Sequence, residues 1–306
     1  MLLSFTVCLT CAKFVDRSLS SRYQAAHQAR LGGAHIETQY LIDQASADFT
    51  HRITATDSVL DYYMHALGGP VRVSGGDFGV QIIRSVEIPA VDQAFLRQMI
   101  NRIDNLIDLD FNEVSSAALA DVDIYYDSEI ELNTSESGQT LGLAITSASN
   151  WELFVNKPQL ENDKAYRHYV LLHEFGHALG LEHPFEDSDG DIFNGITDPW
   201  ISAYPEDTVM AYRSPRSESW PDFFSDNDLN ALIEVWGAER QVLDDTGVRF
   251  HGNDYKDEVI GGSGADQIKG GCGFDLIFGR AGNDELRGGR NADEVRGGSG
   301  NDRLYG

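Results

Sequence analysis

The chain has 306 residues, 42% of them hydrophobic, so it is long enough to bury a core and to form two domains. With 23 basic against 49 acidic side chains its formal net charge is -26, which argues against nucleic acid or an anionic membrane surface as a partner. No stretch approaches the roughly 20 consecutive apolar residues of a membrane span.

The first 55 residues show no recognisable chemistry. The opening run MLLSFTVCLTCAK has the length of a signal-peptide core but lacks a basic leading region, so a cleaved signal and an ordinary apolar start both stay open. Cys8 and Cys11 form a C-x-x-C without a second pair, and Cys272 lies far away, so the cysteines predict no disulfide framework. We interpret residues 1–55 as a leader or pro-segment of unknown role.

A first domain is predicted over residues 56–237. The β-branched run at 80–88 predicts a strand, and apolar positions over 91–109 recur at the period of a helix. Residues 110–114 and 122–126 predict two more strands. This order of elements predicts an α+β fold, in which a helix packs on a twisted sheet.

Four later elements complete this domain. They are strands at 141–145 and 151–156 and helices at 166–181 and 223–236. Ser225 or Asp226 can cap the last helix and Gly237 can end it, because these residue types satisfy helix termini or adopt left-handed backbone.

The segment HEFGHALGLEH, which begins at His173, predicts a zinc site. Residues four apart lie on one helix face, so His173 and His177 can reach one ion. Glu174 points away from that line and can accept a proton from a water held by the ion. Gly180 can end the helix in left-handed conformation, so that the chain returns with His183 as a third ligand. Three neutral imidazoles leave tetrahedral zinc one open position, which is typical of a catalytic site.

This long motif, followed by the methionine turn DTVMAY at 207–212, resembles the metzincin zinc proteases. Met210 precedes Tyr212 by two positions, as in the astacin and serralysin branches. The resemblance implies that Met210 lies beneath the metal and that Tyr212 is a switchable ligand that also stabilises the oxyanion. It further implies peptide-bond hydrolysis with Glu174 as the general base. Metzincins bind extended peptides along an edge strand, a role we predict for 141–145; an ordinary sheet strand is the alternative.

An acidic loop lies between the zinc motif and the methionine turn. Residues 186–191 alternate acids around Gly190, a pattern that fits either calcium chelation or a solvated loop. The run does not match the EF-hand template, which places its glycine at the sixth loop position. Both interpretations therefore stay open from the sequence.

After a predicted linker at 238–251, residues 252–306 are predicted to form a second domain. Six consecutive nine-residue units fill positions 252–305, and GGSGADQIK and GGSGNDRLY are the most regular. One aspartate recurs in each unit: Asp257, Asp266, Asp275, Asp284, Asp293 and Asp302. The apolar positions keep the same phase: Val259, Ile268, Ile277, Leu286, Val295 and Leu304. A flexible glycine-rich linker would not keep this phase.

These units resemble the G-G-x-G-x-D-x-U-x repeats of RTX proteins, which form a parallel β-roll around calcium. The resemblance implies that the six aspartates bind calcium between loops one turn, or two units, apart, and that the roll unfolds without calcium. Asn253 and Tyr255 in the first unit, Arg280 in the fourth and Asn291 in the fifth replace template glycines. We therefore expect the first nine-residue repeat to be a poor calcium site and a cap. We expect Asn291 to adopt left-handed backbone.

Together the two signatures resemble the serralysins. They imply a secreted, extracellular, monomeric endopeptidase that uses Zn2+ and Ca2+ and acts on protein or peptide substrates. The alternative is a calcium-dependent extracellular binding or adhesion protein with a vestigial protease domain. The sequence ends at Gly306, one residue into a seventh unit and without the further β-domain and secretion signal of serralysins, which is consistent with a fragment.

Overall fold

A computed structural model describes residues 33–76, 79–128, 140–187, 189–217 and 219–306. The chain divides into two compact units. The first comprises Met1–Arg102 and Asp110–Ala231, and the second comprises Ile103–Leu109 and Leu232–Gly306. None of the helices within the described ranges combines the length and apolar character needed to cross a membrane.

The regular elements of the first unit fall into one sheet and the helices around it. The helices are α1 (Gln44–Ile53), α2 (Ala90–Ile103), α3 (Lys164–Ala178) and α4 (Asp226–Trp236), the last of which continues into the second unit. The strands are β1 (Val59–Met64), β2 (Gly69–Val73), β3 (Gln81–Val86), β4 (Asp110–Glu113), β5 (Val122–Asp127), β6 (Gly142–Thr146) and β7 (Trp151–Asn156).

Strand β5 is the centre of this seven-stranded sheet. It runs parallel to β7 along its whole length, parallel to β1 at its start and antiparallel to β3 at its end. Strand β4 continues the sheet beside β1, and β2 continues it beside β3. Strand β6 pairs antiparallel with β7 and with no other strand of the described residues, so it lies at an edge.

The core of the first unit surrounds α3 and the central strands. All residues of β5 and β7 are buried, as is every residue of α3 from Tyr166 to Ala178. Because α3 is buried on all sides, its carbonyl end needs internal partners. The Thr50 hydroxyl on α1 donates to the Ala178 carbonyl at 2.8 Å and accepts from Trp151 Nε1 at 2.8 Å.

The structure differs from the predicted boundaries at both ends of this unit. Residues 33–55, predicted as part of a leader, pack within the first unit. Ala34 N–H donates to Asp207 Oδ1 at 2.7 Å, and Ile42 forms an isolated antiparallel β-bridge with Leu181. Residues 1–32, with Cys8 and Cys11, lie outside the described residues. The helix predicted over 91–109 ends at Ile103, because the backbone of 106–109 instead pairs with residues 237–239 of the second unit.

The second unit is a parallel β-roll, as the repeats predict. Its strands are β8 (Arg240–Val242), β9 (Arg249–His251), β10 (Glu258–Ile260), β11 (Gln267–Gly271), β12 (Leu276–Phe278), β13 (Glu285–Gly289), β14 (Glu294–Arg296) and β15 (Arg303–Tyr305). They form two four-stranded sheets, ordered β14-β12-β10-β8 and β15-β13-β11-β9. Glu258 lies opposite Leu276 and Gln267 opposite Glu285, so one turn takes two nine-residue units.

The apolar repeat positions fill the thin core of the roll. Val259, Ile268, Ile277 and Leu286 are each 0% exposed, whereas Leu304 in the last strand is 50% exposed. Each buried side chain is packed between neighbours one turn away in the parallel sheets. Leu304 lies in β15, which pairs with β13 at one end of its sheet.

The linker predicted at 238–251 is wrong, because it contains a complete extra turn of the roll. Strand β8 pairs with β10, β9 pairs with β11, and Leu243 and Phe250 pack against the apolar core. These residues lack the glycine template. Phe250 lies opposite Ile268 and keeps an apolar side chain there, whereas Gln241 lies opposite Val259. The first nine-residue repeat therefore has another turn of the roll before it, and the expectation that it forms the cap is also wrong.

Candidate metal centres

Helix α3 and the turn after it bring three histidines together. Asp163 caps the helix by accepting the Tyr166 N–H at 3.0 Å. Gly180, at φ 96°, ends it in left-handed backbone. One ring nitrogen from each of His173, His177 and His183 lies within 4.8 Å of the other two, and all three residues are buried.

The Nδ1 atom of each ring faces an oxygen that can only accept a hydrogen bond. The partners are the Val209 carbonyl at 2.7 Å for His173, the Leu181 carbonyl at 2.8 Å for His177, and Glu186 Oε1 at 3.1 Å for His183. Such contacts hold the proton on Nδ1 and turn Nε2 towards a common point. His173 Nε2 and His183 Nε2 are 3.0 Å apart.

Burial keeps the imidazoles of His173 and His177 uncharged. Burial, with repulsion between the rings, lowers the pKa of His173 well below its usual value and that of His177 to about 3. Neutral rings that converge through Nε2 are the donor set that zinc binds in proteins. The residues therefore fit a zinc ion.

Met210 packs against helix α3 within the segment that carries His173 and His177. Met210 is 0% exposed, and a methyl group built on Gly176 would lie 3.1 Å from its sulfur. On α4, the buried Asp228 accepts from the Thr208 hydroxyl at 2.5 Å and from Val209 N–H at 2.9 Å. Because the Val209 carbonyl binds His173, this aspartate indirectly positions a histidine of the cluster.

Glu174 and Tyr212 both lie beside the histidine cluster. Glu174 is 2% exposed and packs tightly against β6, where a methyl group on Gly142 would stand 2.1 Å from its Oε1. The Tyr212 ring centroid is 4.8 Å from that of His183. A pocket of about 280 Å³ opens here, lined by Leu141, Gly142, Tyr166, Tyr169, Val170, His173, Glu174, Ala211 and Tyr212.

A buried ionic network on α3 escaped the sequence analysis. Asp92 on α2 accepts from Arg167 at 2.7 and 3.1 Å, from His168 at 2.8 Å and from the Tyr126 hydroxyl at 3.1 Å. Burial by itself would raise the pKa of Asp92, but the hydrogen bonds from His168 and Arg167 outweigh it and lower the pKa to about 2. His168 therefore has a structural partner outside the histidine cluster.

The acidic loop forms part of a second group of possible ligands. Carboxylate oxygens of Glu182, Asp189 and Asp191 lie within 4.8 Å of one another. Burial, followed by repulsion from Asp189, raises the pKa of Glu182 to about 9 and that of Asp191 to about 6. The sequence analysis missed Glu182 because it lies inside the zinc motif, whereas Glu186 of the predicted loop binds His183 instead.

The repeat aspartates link successive turns of the roll. Asp275 Oδ1 accepts the Asp257 N–H at 3.0 Å, and Asp284 Oδ1 accepts the Asp266 N–H at 2.9 Å. The same bond joins Asp293 to Asp275 and Asp302 to Asp284. Asp257, Asp266, Asp275 and Asp284 are buried, whereas Asp293 and Asp302 are partly exposed.

Oxygen atoms of this ladder converge as calcium requires. The second oxygens of Asp275 and Asp284 are buried without a hydrogen-bond partner among the described residues. A methyl group on Gly270 would lie 2.0 Å from Asp275 Oδ2 and 2.7 Å from the Gly288 carbonyl, so carboxylate and carbonyl oxygens face one small space. Buried oxygens of this kind suit a hard cation.

Two residues that stand in place of template glycines adopt left-handed backbone conformations. Asn291 has φ 79°, as predicted, and Arg280 has φ 66°. Asn253 donates from its backbone N–H and its side-chain amide to the two oxygens of Asp257, at 2.8 and 2.9 Å. In the first nine-residue repeat, both Asp257 oxygens thus accept hydrogen bonds.

Comparison with known proteins identifies the repeats. Residues 251–286 and 273–304 match the family described as RTX calcium-binding nonapeptide repeat (4 copies). The C-terminal region is therefore a set of RTX calcium-binding repeats, a feature typical of secreted proteins.

Other comparisons give less. No curated protein sequence matches the chain. Among solved structures, the GM1 bound form of the ECX AB5 holotoxin is similar with 14% identity and a TM-score of 0.35, covering 68% of this chain and 88% of that chain. A likeness of this size supports no assignment of fold or function.

Proposed function

We propose that the chain is a secreted, zinc-dependent endopeptidase of the serralysin-like metzincin type, with the first unit as its catalytic domain and with C-terminal repeats that fold on calcium. The observation that carries the proposal is the orientation of the three buried imidazoles. His173, His177 and His183 each direct Nδ1 to a fixed oxygen and Nε2 to one point. The glutamate expected of the motif lies beside them.

The chemistry divides between the cation and the side chains. Zinc bound by the three imidazoles would supply a Lewis acid for polarising a peptide carbonyl and an attacking water. Glu174 takes the proton of that water and returns it to the leaving amine. The absence of a side chain at Gly142 leaves room for this carboxylate, because a methyl group there would stand 2.1 Å from Glu174 Oε1. Removing one base of this kind typically costs 10²–10⁴-fold in rate.

Tyr212 supports the same reaction through its hydroxyl. Its ring centroid is 5.7 Å from that of His173, so the phenol belongs to the rim of the reacting centre. The hydroxyl donates a hydrogen bond to the oxyanion of the tetrahedral intermediate. One such donor contributes about 3 kcal/mol to stabilising the transition state.

Strand β6 is the proposed platform for the substrate. Its edge position allows an extended peptide to add as a further strand, with the backbone supplying the affinity. The adjoining pocket is lined by Leu141, Tyr166 and Val170, and it favours an apolar or aromatic substrate side chain. A proline at Leu143 in the middle of β6 should raise KM far more than it changes zinc content, which steady-state kinetics and metal analysis would measure.

The test compares Glu174→Gln with Glu161→Gln, a change of the same type at a side chain that is 56% exposed. We expect both variants to bind one zinc, Glu161→Gln to cleave casein normally, and Glu174→Gln to lose at least about 100-fold in rate. Full activity in Glu174→Gln would refute the mechanism. Wild-type protein that binds zinc and calcium but cleaves nothing would favour the calcium-dependent binding or adhesion protein.

A further inference from the structure

We propose that Glu182, Asp189 and Asp191 form a calcium site within the first unit, separate from the histidine cluster and from the repeats. Its oxygens lie within 4.8 Å of one another. Oxygens around one calcium ion, each about 2.3–2.6 Å from it, can be at most about 5 Å apart. The three carboxylates therefore have the spacing of ligands to one ion.

Glu182 supplies the observation that an acidic cluster alone would lack. The residue is 4% exposed, and its Oε1 is buried without a hydrogen-bond partner among the described residues. A buried carboxylate oxygen in that state is costly unless a cation or donor meets it. The carboxyl group that holds this unsatisfied oxygen also supplies the oxygen within 4.8 Å of Asp189 and Asp191, so it borders the proposed ion.

The backbone holds the two sides of this site. Glu182 N–H donates to the Leu41 carbonyl at 2.9 Å, which fixes the residue against the segment that precedes α1. On the loop side, Gly190 has φ 97° and the Phe193 N–H donates to the Pro184 carbonyl at 2.9 Å. A cation at this site would link Glu182 to the surface loop that carries Asp189 and Asp191.

The charge around the site favours a divalent cation of the calcium class. Asp43 and Glu186 add negative charge close to Glu182. Three carboxylates on a loop offer the several oxygens and the adjustable geometry that calcium accepts. Magnesium demands stricter octahedral geometry and usually keeps several waters.

Hydrogen exchange of the full chain can separate this site from the repeats, with calcium chloride as the probe. Calcium at ten times its dissociation constant should slow exchange of the amides between Asp189 and Ile196 about tenfold in the wild type. The slowing should disappear in Glu182→Gln and in Asp191→Asn. Asp187→Asn removes an exposed charge from the same loop and should respond like the wild type.

The peptides of the repeats serve as an internal control, because calcium should protect them in every variant. Should buried Glu182→Gln fail to fold, the partly exposed Asp191→Asn decides the matter. Unchanged exchange at residues 189–196 in the wild type, or the same slowing in Asp191→Asn, would overturn the proposal. Equal slowing by magnesium would overturn the choice of calcium. None of these outcomes depends on proteolysis.

Discussion

In the two units, the candidate metal ligands are held by hydrogen-bond partners at different separations along the chain. In the first, His173 is held by a carbonyl 36 residues away, and that residue is held in turn by Asp228. In the roll, four repeat aspartates each accept a hydrogen bond from the backbone N–H 18 residues earlier: Asp275, Asp284, Asp293 and Asp302. A site built from unlike long-range contacts can be preformed by its core, whereas a repetitive ladder depends on its neighbouring turns and on the cation between them.

Removing calcium should produce the largest difference in stability between the two units. The roll has a thin core of four fully buried apolar side chains, and its buried carboxylates repel one another without a cation. We expect a calcium-selective chelator to abolish amide protection around Ile268 and Ile277 while β5 stays protected. Hydrogen exchange followed by mass spectrometry measures both regions in one sample. Repeats that stay protected would show that their apolar core suffices.

Gly142→Ala should disturb the first unit beside Glu174. The added methyl group would meet Glu174 Oε1 at 2.1 Å, so the carboxylate must shift. A displacement of about 1 Å at a reacting group costs on the order of 100-fold in kcat/KM. Thr146→Ala, at the other end of β6, is the matched control, and zinc content should stay unchanged in both. Normal proteolysis in Gly142→Ala would argue against Glu174 as the base.

Acid should weaken the first unit through Asp92. Because folding lowers its pKa from 3.8 to about 2, the ionised carboxylate stabilises the unit above about pH 4, and this contribution fades as the pH falls through 2. The loss amounts to about 2 kcal/mol. Urea unfolding followed by tryptophan fluorescence should show that Asp92→Asn lacks this part of the acid sensitivity. Asp222→Asn, at a side chain 84% exposed, should retain it.

The smallest effect should come from the glycine replacements in the roll. Arg280 adopts φ 66°, a backbone conformation that costs a non-glycine residue about 1 kcal/mol or more. Arg280→Gly should therefore raise the stability of the calcium-loaded roll by about that amount, and Asn291→Gly by less, since asparagine tolerates this conformation. Calorimetry with calcium would measure the change. Arg290→Gly, at a residue without positive φ, should give no gain.

The roll was largely predictable because its information is local and periodic. The phase of Asp266 and Ile268 recurs every nine residues, so strand spacing, core and turn length follow from the pattern. The prediction failed over residues 238–251, where Leu243 and Phe250 pack against the core. This turn lacks the repeat aspartate, because Val248 occupies its position. Apolar placement alone does not distinguish such a turn from a linker.

The first unit was predictable where one helix carries two of the candidate metal ligands. His173 and His177 lie four apart on α3, and both reach the cluster as expected. Asp92 could not be assigned, because its partners Arg167 and His168 are 75 and 76 residues away and no local pattern joins them. Strand β1 and helix α1 were missed for a related reason: β1 pairs with β4 and β5, and α1 bonds to the end of α3 through Thr50. The short strand β2 was also missed.

Zinc stoichiometry tests the central claim most directly, with His177→Ala compared against His51→Ala, a change of the same type at an exposed residue of α1. Elemental analysis of the purified proteins after dialysis should find one zinc per chain in the wild type and in His51→Ala. His177→Ala should bind much less, because the cluster then offers two imidazoles. A wild-type chain without zinc, or a His177→Ala variant that keeps it, would contradict the assignment of the histidine cluster.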